Sequence, residues 1–137
     1  MYTIGVGSER IKWKLVYYQD KKGRSEVRDF VSKRRANERA KIAAFLKCLQ
    51  SEGPRLPRPY SDLLEDGIHE LRIKLSGNQT RVLYFFCYRN FIVLTNVFFK
   101  RTSKVPPKEI RKARKLRKEF LERFDEVTLR RIAHGDV

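Results

Sequence analysis

The stretch ELRIKLSGNQTRVLYFFCYRNFIVLTNVFF, residues 70–99, decides the fold. It opens on an alternation: Leu71, Ile73 and Leu75 are apolar, while Glu70, Arg72 and Lys74 are charged. A period of two puts these sets on opposite faces of a strand. Ser76-Gly77-Asn78-Gln79 supplies a tight turn. Arg81–Tyr88 is then apolar or aromatic at nearly every position, as suits a central strand. Arg89-Asn90 makes the next turn, and Phe91–Phe99 is another apolar run. Strands joined this closely form an antiparallel meander.

Working outward, Ile11 to Tyr18 begins with alternation and reads as a strand. Ser25 suits the cap of a short helix, with Glu26 and Asp29 in the first turn and Val27, Phe30 and Val31 as its apolar stripe. A second helix is expected from about Asn37 to Glu52, with Ala40, Ala43, Leu46 and Cys48–Leu49 facing inward and Gly53-Pro54 ending it. The Pro-rich run from Gly53 to Pro59 reads as a surface connection. Pro106-Pro107 opens a long helix whose stripe is Ile110, Ala113, Leu116, Phe120, Leu121 and Phe124. Thr128 to Val137 reads as a short helix with a frayed end. The expectation is one α+β domain over 1–137, with its core in about 11–124. The element order is β-α-α-β-β-β-α, with an antiparallel sheet packed on two N-terminal helices. The face bearing Arg72 and Lys74 is then open to a ligand.

The chain carries 32 Lys and Arg against 16 Asp and Glu, a net charge of +16 in 137 residues. Solubility needs only about 2–8. Such an excess attracts polyanions, which points to nucleic acid, the ribosome or an acidic protein. The excess flanks the middle of the chain: residues 1–60 carry +9, residues 61–100 only +1, and the remainder +6. No run approaches the ~18 consecutive apolar residues of a membrane span, so no membrane partner is expected. Residues 1–14 lack an apolar signal core, and a cytoplasmic location follows. Cys48 and Cys87 are too few and too far apart for a disulfide scaffold. His69 and His134 stand 65 residues apart and the acids do not cluster at ligand spacing, so neither a metal nor another cofactor is expected.

What remains is a basic set on and beside the sheet. Arg72 and Lys74 share one strand, and the hairpin brings Arg81 beside them, with Tyr84 three positions further on. Lys100 and Arg101 end the last strand, and Lys104 lies just beyond. Such groups suit RNA cleavage by attack of a 2′-hydroxyl on the adjacent phosphate, because cations stabilise the charge that develops there. A base and an acid are also needed. With few carboxylates at hand, a lysine among cations, Tyr84 or His69 must be weighed, since crowded positive charge disfavours the protonated amine. The bland alternatives are a solvated sheet face for Arg72 and Lys74, a core position for Tyr84 and a loop hydrogen bond for His69. On the last long helix Lys108, Arg111, Lys112 and Lys115 lean toward phosphate contacts.

The segments His69-Glu70-Leu71-Arg72-Ile73-Lys74, Thr80-Arg81-Val82-Leu83-Tyr84-Phe85 and Phe98-Phe99-Lys100-Arg101-Thr102-Ser103-Lys104-Val105-Pro106 resemble the RelE/ParE superfamily of toxins, in its HigB-like, phage-derived branch. The resemblance covers roughly residues 60–118 by motif, and 11–58 by element order alone. It implies the small α+β toxin fold and a type II toxin held inactive by a cognate antitoxin, in this branch a helix-turn-helix DNA-binding protein. It also implies metal-independent cleavage of mRNA on the ribosome, leaving a cyclic phosphate. Carried over by position, Arg72, Lys74, Arg81 and Arg101 match the basic residues of the RelE-type site. Where those toxins place a tyrosine entering the last helix, this chain has Pro106-Pro107. The ParE-type members inhibit DNA gyrase instead and usually lack the converging basic set. A non-catalytic, basic nucleic-acid-binding module is the third reading.

Overall fold

The computed structural model describes residues 12–133. Five strands form one mixed sheet: β1 (Lys14–Tyr17), β2 (Ser61–Glu65), β3 (Ile68–Leu75), β4 (Asn78–Cys87) and β5 (Phe91–Phe99), in the order β1-β5-β4-β3-β2. The meander β2 to β5 is antiparallel, and β1 joins β5 in parallel. The all-antiparallel expectation is corrected at that edge. A parallel pair needs a long crossover, and the chain between β1 and the meander provides it through helices α1 (Glu26–Ser32) and α2 (Ala36–Glu52). Two further helices, α3 (Pro107–Arg123) and α4 (Glu126–Ala133), follow β5. The observed order is therefore β-α-α-β-β-β-β-α-α. β2 is the strand the sequence reading lacks, and α4 begins two residues before the helix expected at Thr128. The expected strand start at Ile11 and the positions of His134 to Val137 lie outside the described residues.

The sheet is covered on both faces. Val27 of α1 and Ile42, Leu46 and Leu49 of α2 pack on Leu71, Ile73, Leu75, Val82, Tyr84, Ile92 and Leu94, the first face. Ala113 and Phe120 of α3 and Leu129 of α4 pack on Ile68, Leu83, Phe85, Phe91 and Val93, the second face. The second face is thus not open along its length. Strands β4 and β5 are apolar on both sides and must be covered on both.

Local rules account for most boundaries. The Ser25 hydroxyl accepts a hydrogen bond from the Arg28 amide at 3.2 Å and caps α1. Pro107 occupies the first turn of α3, where its missing N–H costs nothing. In α2 the inward residues are Glu38, Ile42, Leu46 and Leu49, whereas Ala40, Ala43 and Cys48 are exposed. The larger side chains set the buried stripe, and small alanines do not compete with them. Ser76 and Gly77 both adopt positive φ, 49° and 89°, and together make the two-residue turn that fixes the β3–β4 register. Gly53 ends α2 at φ 56°, under the indole of Trp13.

A Cβ at Gly53 would stand 2.3 Å from Trp13 Nε1, whereas one at Gly77 meets nothing within 4 Å. Gly77→Ala is expected to cost about 1–2 kcal/mol, from backbone strain alone. Gly53→Ala adds the clash with the indole and is expected to cost roughly 3 kcal/mol or more. Urea denaturation of the two variants checks the ranking.

Candidate active site

The fixed register places Arg72 of β3 directly opposite Arg81 of β4. Like charges in that position repel. Glu70 lies two residues before Arg72, on the same second face and diagonal to Arg81, and its carboxylate meets both guanidiniums. Arg72 Nε donates to Glu70 Oε2 at 2.9 Å. Arg81 Nε stands 3.2 Å from Glu70 Oε1, a charge contact whose atoms lack hydrogen-bond alignment. Asp62 of β2 accepts from Arg72 Nη2 at 3.2 Å and from Arg58 Nη2 at 2.8 Å. The result is an alternating chain, Arg58–Asp62–Arg72–Glu70–Arg81. Arg58 at the outer end is 74% exposed in its side chain, Asp62 and Arg72 are 21% and 29% exposed, and Glu70 and Arg81 at the inner end only 2% and 7%. Hydrogen bonding from Arg58 holds the Asp62 carboxyl below the usual range, against the opposing effect of burial. Burial lowers the pKa of Arg81 and Arg72 adds to this, while Glu70 opposes both. The guanidinium stays charged throughout.

The remaining candidates divide. Lys74 is exposed on β3 opposite Gln79, and the Lys100 amide donates to the Gln79 carbonyl at 2.6 Å. Gln79 Oε1 in turn accepts from Arg81 Nη1 at 3.4 Å. Arg72, Arg81, Lys74 and Lys100 therefore occupy neighbouring backbone positions toward one end of the sheet. Arg101 lies 5.9 Å over the Phe99 ring, which packs on Phe30 of α1, so it borders that end from the first face. Lys104 is exposed in the loop before α3, where its carbonyl accepts from the Thr102 hydroxyl at 2.6 Å.

Tyr84 does not join this group. It is 1% exposed in the first-face core, and burial pushes its phenol up to about 12. A strand that alternates must send Tyr84 and Arg81 to opposite faces. His69 shares the Tyr84 side, stacked on that ring at 5.3 Å, with Phe86 edge-on at 5.0 Å; burial lowers its pKa against the pull of Asp62. It belongs to β3 and not to a loop.

Helix α3 sorts its cations. Lys112 pairs with Glu26 of α1, Arg114 with Glu65 at 3.3 Å and Arg117 with Asp66 at 2.8 Å. Lys108, Arg111, Lys115 and Lys118 are exposed and stand at three- and four-residue steps, one stripe along the helix. Lys112 thus leaves the expected phosphate-contacting set for a tie to α1, and Lys118 takes its place on the stripe. Among the described residues, no three His, Cys, Asp or Glu side chains are grouped to hold a metal ion. No described helix is long and apolar enough to cross a membrane.

A model of the family described as phage-derived protein Gp49-like (DUF891) matches residues 29–118, from α1 through most of α3. The chain belongs to the phage-derived Gp49-like family. No curated protein matches it. The matched span holds every member of the Glu70 cluster, both strands that carry the arginines and the exposed stripe of α3. In this Gp49-like chain Glu70 and Asp62 are the site residues that sequence reasoning missed. The signal was present: Glu70 shares the period-two face of Arg72, and the Ser76-Gly77 turn sets it diagonal to Arg81.

Burial makes alanine at either arginine costly to the fold. Arg81→Ala leaves Glu70 its Arg72 hydrogen bond, but it removes the counter-charge at Glu70 Oε1 and empties a nearly buried site, and is expected to cost about 3–5 kcal/mol of stability. Arg72→Ala leaves Glu70 with Arg81 and is expected to cost about 1–2 kcal/mol. Chemical denaturation of the two variants tests this order, and equal losses would contradict it.

Proposed function

We propose that this Gp49-like chain is the toxin of a type II toxin–antitoxin pair, of the RelE/ParE kind and the HigB-like branch, and that it cleaves ribosome-bound mRNA without a metal. The observation that carries the reading is the pair of opposed arginines, Arg72 and Arg81, on strands whose ends bring Lys74 and Lys100 to either side of Gln79. In the proposed reaction the 2′-oxygen attacks the adjacent phosphorus and the bond to the 5′-oxygen breaks. The products are a 2′,3′-cyclic phosphate and a 5′-hydroxyl. Arg72 and Arg81 hold the phosphate and the charge that develops on it. Lys74 or Lys104 takes the 2′-proton or returns one to the 5′-oxygen. Lys100 and Arg101 steady the leaving side. The exposed α3 stripe grips ribosomal RNA. The partner is an antitoxin that presents acidic groups, with the helix-turn-helix DNA-binding architecture the resemblance implies. Action on the ribosome places the protein in the cytoplasm.

One observation favours a second reading, a non-catalytic nucleic-acid-binding module. The imidazole of His69 and the phenol of Tyr84 lie on the face away from the arginines, so neither conventional base is at hand.

Induced expression with primer extension on cellular mRNA separates the readings. Because alanine endangers the fold, lysine is the substitution to use: it keeps a cation near Glu70 and loses the planar fork. Wild type is expected to arrest growth and to create new mRNA ends. Arg72→Lys and Arg81→Lys are expected to reduce those ends roughly 100-fold. Arrest with intact mRNA would move the target to DNA gyrase, as for ParE-type toxins. A folded chain that arrests nothing would favour the binding module.

A further inference from the structure

Glu70 poses a question that stability does not answer. It is 2% exposed on a face whose neighbours Ile68 and Leu83 are fully buried apolar residues. An apolar side chain there would pack without the desolvation cost of a carboxylate. What the carboxylate adds is a fixed position for two guanidiniums. Its Oε2 binds Arg72 Nε at 2.9 Å, and its Oε1 faces Arg81 Nε at 3.2 Å. Both contacts engage the Nε edge. Of the five N–H donors of Arg72, Glu70 and Asp62 take two, which leaves three for a ligand. Arg81 is held from its other end by the Thr80 carbonyl at 3.1 Å and by Gln79.

We propose that Glu70 is a positioning residue: it clamps Arg72 and Arg81 by their Nε edges so that their outer N–H groups converge on one phosphate. The assignment rests on the ribonuclease reading above. Donors that are already oriented stabilise the developing charge without reorganising during the reaction. Without the clamp, two opposed cations on neighbouring strands move apart, and Arg72 samples the rotamers of a long solvent-facing chain. Asp62 is the outer support, since it grips Arg72 from β2 and is itself gripped by Arg58.

The decisive variant is Glu70→Gln, which keeps the shape of the side chain but offers one acceptor oxygen to two guanidiniums. The assay is single-turnover cleavage of mRNA on programmed ribosomes, with solvent exchange of the Arg72 and Arg81 Nε protons followed by NMR. The expected result is a folded protein whose cleavage rate falls about 100-fold. The half-saturating concentration changes less than about 3-fold, because the loss is confined to the transition state. At least one of the two Nε protons exchanges faster. A folded Glu70→Gln that cuts at the wild-type rate overturns the proposal. So does a rate loss that comes entirely from weaker binding. Should Glu70→Gln fail to fold, Glu70→Asp replaces it. That variant keeps the charge but is one methylene too short to reach both arginines, so the same rate loss is expected, and a wild-type rate would again overturn the proposal. A wild type that cuts no RNA ends the ribonuclease reading. The proton exchange still judges the clamp in that case: protection lost in Glu70→Gln supports it, and protection unchanged refutes it.

Discussion

Strands β4 and β5 carry apolar side chains on both faces, and the rest of the structure answers that constraint. A sheet of this kind must be covered twice. The crossover from β1 supplies α1 and α2 for the first face. The chain after β5 supplies α3 and α4 for the second. The polar chemistry is then confined to the end of the sheet where the β3–β4 turn, the end of β5 and the start of α3 come together. Helices cover the middle, so the strand ends hold whatever must meet a ligand.

At that end the charges are ordered by depth. Two carboxylates, Asp62 and Glu70, are threaded among three arginines, with Arg58 exposed at one end and Glu70 and Arg81 buried at the other. The inner pair is fixed by burial, while the outer members remain in contact with solvent, where ion pairs contribute little on their own. Helix α3 repeats the division. Lys112, Arg114 and Arg117 tie it to α1 and to the β2–β3 turn, and the stripe of Lys108, Arg111, Lys115 and Lys118 faces outward. The net charge of +16 is thus separable into cations that hold the protein together and cations available to a polyanion.

The meander was legible because its signals are local. Alternation in 70–75, the Ser76-Gly77 turn and unbroken apolar runs after it leave little choice of register. The N-cap at Ser25, the stop at Gly53 and the start at Pro107 are equally local. β2 escaped because Ser61-Asp62-Leu63-Leu64-Glu65 follows a Pro-rich run and does not alternate cleanly; Leu63 is exposed on this edge strand. The phase of α2 was misread because alanines count as apolar in a pattern yet bury little area. The parallel pairing of β1 is a long-range fact with no local sign. Glu70 escapes because an acid that alternates with Arg72 and Lys74 reads as one more residue of a solvated face. Only the cross-strand register shows that two arginines converge on it.

The central claim is chemical: the arginines at the sheet end serve attack by a 2′-hydroxyl. The most direct measurement is the nature of the ends produced when the purified chain acts on ribosome-bound mRNA, with a message carrying a single 2′-deoxy nucleotide 5′ to the cut as the comparison. The account predicts a 2′,3′-cyclic phosphate and a 5′-hydroxyl, and no cleavage at the deoxy-substituted position. Cleavage of the deoxy-substituted message, or 5′-phosphate ends of the kind that attack by water leaves, would contradict it.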